Sequence, residues 1–140
     1  MPYFKDADEL YELIGGLLVE LAADDELAAK FRGANTIVQW RYRNPDAQIT
    51  ARLREGEDLR ADLGDTDLKP EVVMSMDGDT AHRFWLGAIN VTVALARGQM
   101  QAKGPVAKVL KLVPVLKPAF PRYRERLAAA GRDEAIPPDG

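Results

Sequence analysis

Ser75 and His82 are the only serine and the only histidine among 140 residues, and there is no cysteine. Serine hydrolysis needs a histidine base within hydrogen-bond reach of the nucleophile and donors aimed at the oxyanion, so one pair would have to carry it. The flanking residues, "VVMSMDG", do not make the sharp G-x-S-x-G turn that presents such a serine. A zinc site draws on histidine and cysteine ligands, and a single histidine does not fill one. The stretch "MDGDT" at 76–80 begins like a calcium loop, but the later ligand positions do not follow; a turn leading into a helix cap explains it. The chain has neither of the glycine-rich phosphate loops, G-x-G-x-x-G and G-x-x-x-x-G-K-[ST]. The expectation is therefore no catalysis, no metal and no cofactor.

The charged residues are unevenly spread. Net charge is −3, yet residues 1–36 hold eight acidic against three basic side chains, while residues 97–132 hold nine basic against one acidic. Such a gradient suits either an anionic partner or a solvated helix face. Arg41, Arg43, Arg52 and Arg54 stand near Trp40 and Tyr42, which suggests a nucleic-acid platform at first sight. Period-two alternation puts the arginines and the aromatics on opposite faces of the strand, so charge and stacking would not act together, and no nucleic-acid partner is expected. No apolar stretch is long enough to span a bilayer. The opening "MPYFKDADEL" lacks the basic region and apolar core of a secretory signal. Absence of cysteine fits a reducing compartment, and the cytoplasm is the expected location.

These side chains must be positioned by elements legible in the periodicity. Asp6 and Glu9 have capping-box spacing, and Leu10, Leu13, Ile14, Leu17, Leu18 and Leu21 recur at helical spacing, predicting a helix over 7–22. Gly15 and Gly16 inside it point to close packing against a neighbour. A second helix is expected over 25–32. The period then becomes two: Val38, Trp40 and Tyr42 in one strand, "NPD" as a turn, Ala47, Ile49, Ala51 and Leu53 in the next, then a third over 59–63 and a fourth over 71–76. Asp79 or Thr80 can cap a helix over 80–86, and Asn90 one over 91–97. Gln99–Lys103 reads as a fifth strand with Met100 and Ala102 inward. Pro105 opens a helix that Pro114, Pro118 and Pro121 break into pieces, ending in a basic helix over 121–130. One domain over 1–131 with a flexible tail over 132–140 is expected. Because one strand face is wet, the fold class is α+β: a two-layer domain with a five-stranded, mostly antiparallel sheet covered on one face by helices.

The run "VAKVLKLVPVL" at 106–116 carries apolar side chains over an arc of about 160°, wider than the ~100° stripe that packs a surface helix on a sheet. A helix wedged between sheet and neighbouring helix accounts for the surplus, and so does a cavity; periodicity does not separate them. Residues 74–116 resemble the sterol carrier protein 2 family. The likeness is carried by "LG" at 86–87, a polar helix start at Asn90, "ALARGQMQAKG" at 94–104 and the apolar helix that follows. Members typically show a glycine, a five-residue strand and a second glycine before that helix, as at Gly98 and Gly104. Asn90 stands where members often have an acidic residue, and Pro105 where an acidic or polar one is common.

The resemblance implies an apolar tunnel between sheet and helices, and non-catalytic binding or transfer of a fatty acid, fatty acyl-CoA or sterol-like ligand. Trp40, Trp85, Met100, Val109, Val113 and Leu116 are the expected lining. Lys108, Lys111 and Arg122 are expected to meet a lipid headgroup or an anionic membrane surface. The alternative is a ligand-free scaffold or dimerisation module whose tunnel has closed on its own side chains. Neither the ligand's identity nor the oligomeric state follows from the sequence.

Overall fold

A computed structural model describes residues 3–132. The chain begins with a helical run in three pieces: α1 (Ala7–Leu10), a π-helical turn (Tyr11–Gly15) and α2 (Gly16–Ala22). Asp6 caps it, its carboxylate accepting from the Glu9 amide at 2.9 Å, while Glu9 reaches back to the Lys5 amide at 3.0 Å. The apolar stripe Leu10, Leu13, Ile14, Leu17 and Leu21 is buried. Both glycines are explained by what lies against them. A Cβ on Gly15 would stand 2.9 Å from a Leu63 methyl, and one on Gly16 would collide with the Arg126 guanidinium. Then comes α3 (Asp25–Arg32), capped by Asp24 onto the Leu27 amide at 3.1 Å.

Strands β1 (Thr36–Arg43), β2 (Ala47–Leu53) and β3 (Arg60–Leu63) form an antiparallel meander. The chain then crosses back, and β4 (Val72–Asp77) pairs with the other side of β1 in parallel; β5 (Met100–Lys103) pairs antiparallel with β4. The sheet order is β3-β2-β1-β4-β5. Between β4 and β5 lie α4 (Gly78–Trp85) and α5 (Val91–Ala96). Last come α6 (Ala107–Leu110), α7 (Val113–Leu116) and α8 (Ala119–Ala129).

Three local readings change. Helix α4 starts at Gly78, directly from β4, with Asp77 at the N-cap position, so Asp79 and Thr80 fall inside the first turn; the Asp79 carboxylate accepts from the Tyr3 amide at 2.8 Å, and the Thr80 side chain is buried. The break between α6 and α7 falls at 111–112, ahead of Pro114, which sits in the first turn of α7 where its missing N–H costs nothing. Helix α8 starts at Ala119 and takes Pro121 into its first turn for the same reason.

Inward-facing residues Val38, Tyr42, Ile49, Val72, Met74, Met76 and Met100 form the sheet's share of the core, and Tyr123 and Leu127 of α8 join it. On the opposite face of the sheet, Ile37, Gln39 and Thr50 of the central strands are buried as well. Long polar neighbours cover them: Gln39 donates to the Thr50 hydroxyl at 3.0 Å and accepts from Arg41 at 2.6 Å. Residues 133–140 of the expected tail lie outside the described residues. Arg132, at its expected start, is anchored by an ion pair with Glu9, a 2.9 Å hydrogen bond to the Tyr3 carbonyl and a position 4.3 Å above the Tyr3 ring.

Candidate functional site

Ser75 and His82 are separated by the sheet. Ser75 follows Met74 on the strand and takes the opposite, outward face, opposite Gln101 of β5. His82 is buried in an aromatic cluster, its Nδ1 2.8 Å from the Tyr123 hydroxyl and its ring stacked on Tyr3 at 3.8 Å. Burial pushes the pKa of the Tyr123 hydroxyl far up, so the hydroxyl stays protonated. The pair builds no nucleophile. Among the described residues no cluster of three or more histidine, cysteine, aspartate or glutamate side chains could hold a metal ion.

The apolar surplus of 106–116 has a definite destination. Val109 and Leu112 are buried, whereas every residue of α7 is at most half-buried. Beneath them lies an apolar cavity of about 40 Å³. Its floor is the inner face of β1, β4 and β5 (Trp40, Tyr42, Met74, Met76, Met100), where Tyr42 pairs with Met76 and Met76 with Met100. Its roof is Val109, Leu112, Val113 and Leu116, and its end wall Ala81, Phe84, Trp85 and Val91. All six residues expected to line a tunnel, Trp40, Trp85, Met100, Val109, Val113 and Leu116, therefore share one cavity wall.

A second apolar cavity of about 60 Å³ adjoins the first. Trp40, Trp85, Leu112 and Leu116 line both, forming a partition with space on either side. The second lies under β2 and β3 against α2 and α3, with Leu18, Ala22, Phe31, Ala51, Leu53, Leu59 and Ala61 in its wall. Ala51 and Ala61 face one another across the β2–β3 pairing. Two small side chains at facing positions leave the gap that larger ones would fill. Of the expected lining, Trp40, Trp85 and Leu116 reach this second cavity at the partition, and its remaining walls were not among the expected residues. The available signal was the inward alanines alternating with Ile49 and Leu53 in β2.

Titratable groups are nearly absent from these walls. The Tyr42 hydroxyl is kept protonated, its pKa raised by burial. Arg60 reaches the second cavity, but its guanidinium binds Asp62 at 2.8 Å and Asp67 at 2.5 Å, and those hydrogen bonds raise its pKa further.

The cations expected to contact a headgroup or membrane lie elsewhere. Lys108 is paired with Glu71 at 2.8 Å, Glu71 also accepting from the Thr36 hydroxyl at 2.7 Å. Arg122 is paired with Asp24 at 3.1 Å. Lys111 is exposed and, like the other two, outside the walls of both cavities. Arg126 is also tied down, with its guanidinium donating to the Glu12 carbonyl at 3.0 Å.

A third space, an open groove of about 550 Å³, runs along the surface where α5, α6–α7 and the start of α8 meet. Phe84, Val91 and Val113 line both this groove and the first cavity. No helix among the described residues is long and apolar enough to cross a membrane.

Residues 17–117, more than half of the chain, match the model of the SCP-2 sterol transfer family. No curated protein matches the chain. Among solved structures it is similar to the apo form of sterol carrier protein 2 from Yarrowia lipolytica: 17% identity over 80% of this chain and 90% of that one, with a TM-score of 0.62. Similar too is the sterol carrier protein domain 2 of Helicoverpa armigera, at 18% identity over 79% and 89%, TM-score 0.59. The sec-alkylsulfatase Pisa1 from Pseudomonas sp. matches at 18% identity over 63% of this chain but only 14% of its own length, TM-score 0.54. At these identities the solved structures establish the fold, and the family match establishes the lineage: the chain belongs to the SCP-2 sterol transfer family.

Proposed function

We propose that this protein is a carrier that holds one long acyl chain, as a fatty acid or fatty acyl-CoA, or a sterol-like molecule, between its sheet and its helices, with no chemistry of its own. The observation that carries the reading is the shared partition. Two apolar cavities meet at Trp40, Trp85, Leu112 and Leu116, so one elongated guest could run through both past four apolar side chains. Burial of about fourteen methylenes at ~0.8 kcal/mol each offers roughly 11 kcal/mol, from which association and ordering costs leave affinity of about micromolar or better. With almost no polar group in the walls, selectivity rests on length and shape.

The narrowness of both cavities is what the alternative reading, a guest-free scaffold, requires. In the carrier reading, the guest opens the space by lifting α6–α7 from the sheet. That movement is cheap because α7 buries none of its residues and neither short helix has a side-chain cap. Titration with saturated fatty acids of increasing length separates the two. A carrier binds saturably, with affinity rising from octanoate to palmitate; a scaffold takes up none of them, and equal affinity at all lengths also defeats the tunnel.

A further inference from the structure

We infer that the polar end of the guest sits in the surface groove at Lys117, and that the preferred ligand is a single-chain amphiphile with a small anionic head, a fatty acid in preference to a sterol. The inference rests on the lipid-carrier reading and deepens it by giving the ligand a direction.

Three observations converge. First, Phe84, Val91 and Val113 line both the groove and the first cavity, so a shift of these three apolar side chains is all that an apolar chain needs to pass from the surface to the interior. An aromatic path marks the passage: the Phe84 ring packs edge-on against Phe120 at 5.8 Å on the groove side and against Trp85 at 4.9 Å on the cavity side. Second, the groove, unlike the two cavities, is partly polar. Asn90, Thr92 and Lys117 line it together with apolar residues, and no acidic side chain does. Third, Lys117 is the groove's single cation, is exposed, and has no ion pair among the described residues, whereas Lys108, Arg122 and Arg126 of the same basic region are each matched to a carboxylate. An ammonium beside an apolar passage, with no competing carboxylate in its groove, complements an anionic head.

The opposite orientation meets an obstacle. At the far end the available cation is Arg60, and Asp62 and Asp67 already occupy its guanidinium. An anion placed there would face two carboxylates sharing one positive charge.

The test compares palmitate with hexadecanol, which share a chain length and differ in head charge, by titration against the wild-type chain and three variants whose melting temperatures match it. Lys117→Glu is expected to weaken palmitate about five- to tenfold and to leave hexadecanol within about twofold. Arg97→Glu makes the same charge change at the other end of α5, outside the groove, and is expected to leave both ligands unchanged. Arg60→Gln alters a wall of the second cavity and is expected to change palmitate and hexadecanol by the same factor. If Lys117→Glu leaves palmitate unchanged or weakens both ligands equally, the head does not sit at Lys117. If Arg60→Gln selectively weakens palmitate, the ligand lies the other way round. If the wild type binds neither ligand, the carrier reading fails and takes this one with it.

Discussion

Gly98 and Gly104 bracket the fifth strand and look alike in the sequence, but they are not interchangeable in the structure. Both have positive φ, +75° and +92°. A Cβ on Gly98 meets nothing within 4 Å, so Gly98→Ala carries only the left-handed backbone penalty of about 1 kcal/mol. A Cβ on Gly104 would fall on the Glu71 carbonyl oxygen, which belongs to rigid backbone beside β4. Gly104→Ala should therefore cost about 3 kcal/mol or more, and it should also disturb the Glu71 carboxylate that holds Lys108 and Thr36. Denaturant melts of the two variants check this; equal losses would show that strand β5 yields at Gly104. The same scale explains the double glycine in the first helix. Gly15 and Gly16 face different neighbours, Leu63 of β3 and Arg126 of α8, and each leaves room for one of them.

Among the elements, α6 and α7 are the movable part. The sheet's central strands are paired on both sides and packed beneath buried side chains. The roof is two four-residue helices separated by a break, with Val113, Val115 and Leu116 half-buried above the cavities. Short helices without caps or a buried face open locally at little cost. Hydrogen exchange should find the amides of 106–117 exchanging fastest among the regular elements of the core, and slowing when palmitate is added, while β1 and β4 stay slow throughout. Unchanged exchange over 106–117 on ligand saturation would mean that the guest enters some other way. The proline placement fits a jointed roof: Pro114 at the start of α7 and Pro118 capping α8 divide the segment into pieces that can tilt separately.

At the scale of the whole fold, the segments around Tyr3 and Arg132 are clasped together. Tyr3 stacks on His82 and donates its amide to Asp79, and Arg132 lies over the Tyr3 ring while pairing with Glu9. Partial burial raises the pKa of Glu9, but the hydrogen bond and charge of Arg132, with the Lys5 amide, outweigh it and hold the group below its ordinary 4.5. A depressed folded pKa means that this contribution is fully present above the unfolded value and is lost as pH falls through the folded one. Glu9→Gln should therefore lower the melting temperature at neutral pH and flatten its decline on acidification. A variant whose melting curve falls as steeply as the wild type's would assign the acid sensitivity to other groups.

How much of this was legible in the sequence differs by level. The elements and the fold class were readable because period-two and period-3.6 patterns are local, and so are the caps at Asp6 and Asn90. Inward residues of β1 and β5 and of the last apolar run were legible for the same reason, and Trp40, Met100 and Val113 do border the first cavity. The parallel pairing of β1 with β4 was not legible, since both pairing senses show the same alternation. Nor was the second cavity: it arises where Ala51 and Ala61 meet across two strands and face α2 and α3, a gap that belongs to no single element. Charge followed the same rule. Local composition showed a basic C-terminal third, but only tertiary packing sets Lys108 against Glu71 and Arg122 against Asp24 and leaves Lys117 without an ion pair among the described residues, because an ion pair depends on which distant carboxylate the fold brings near.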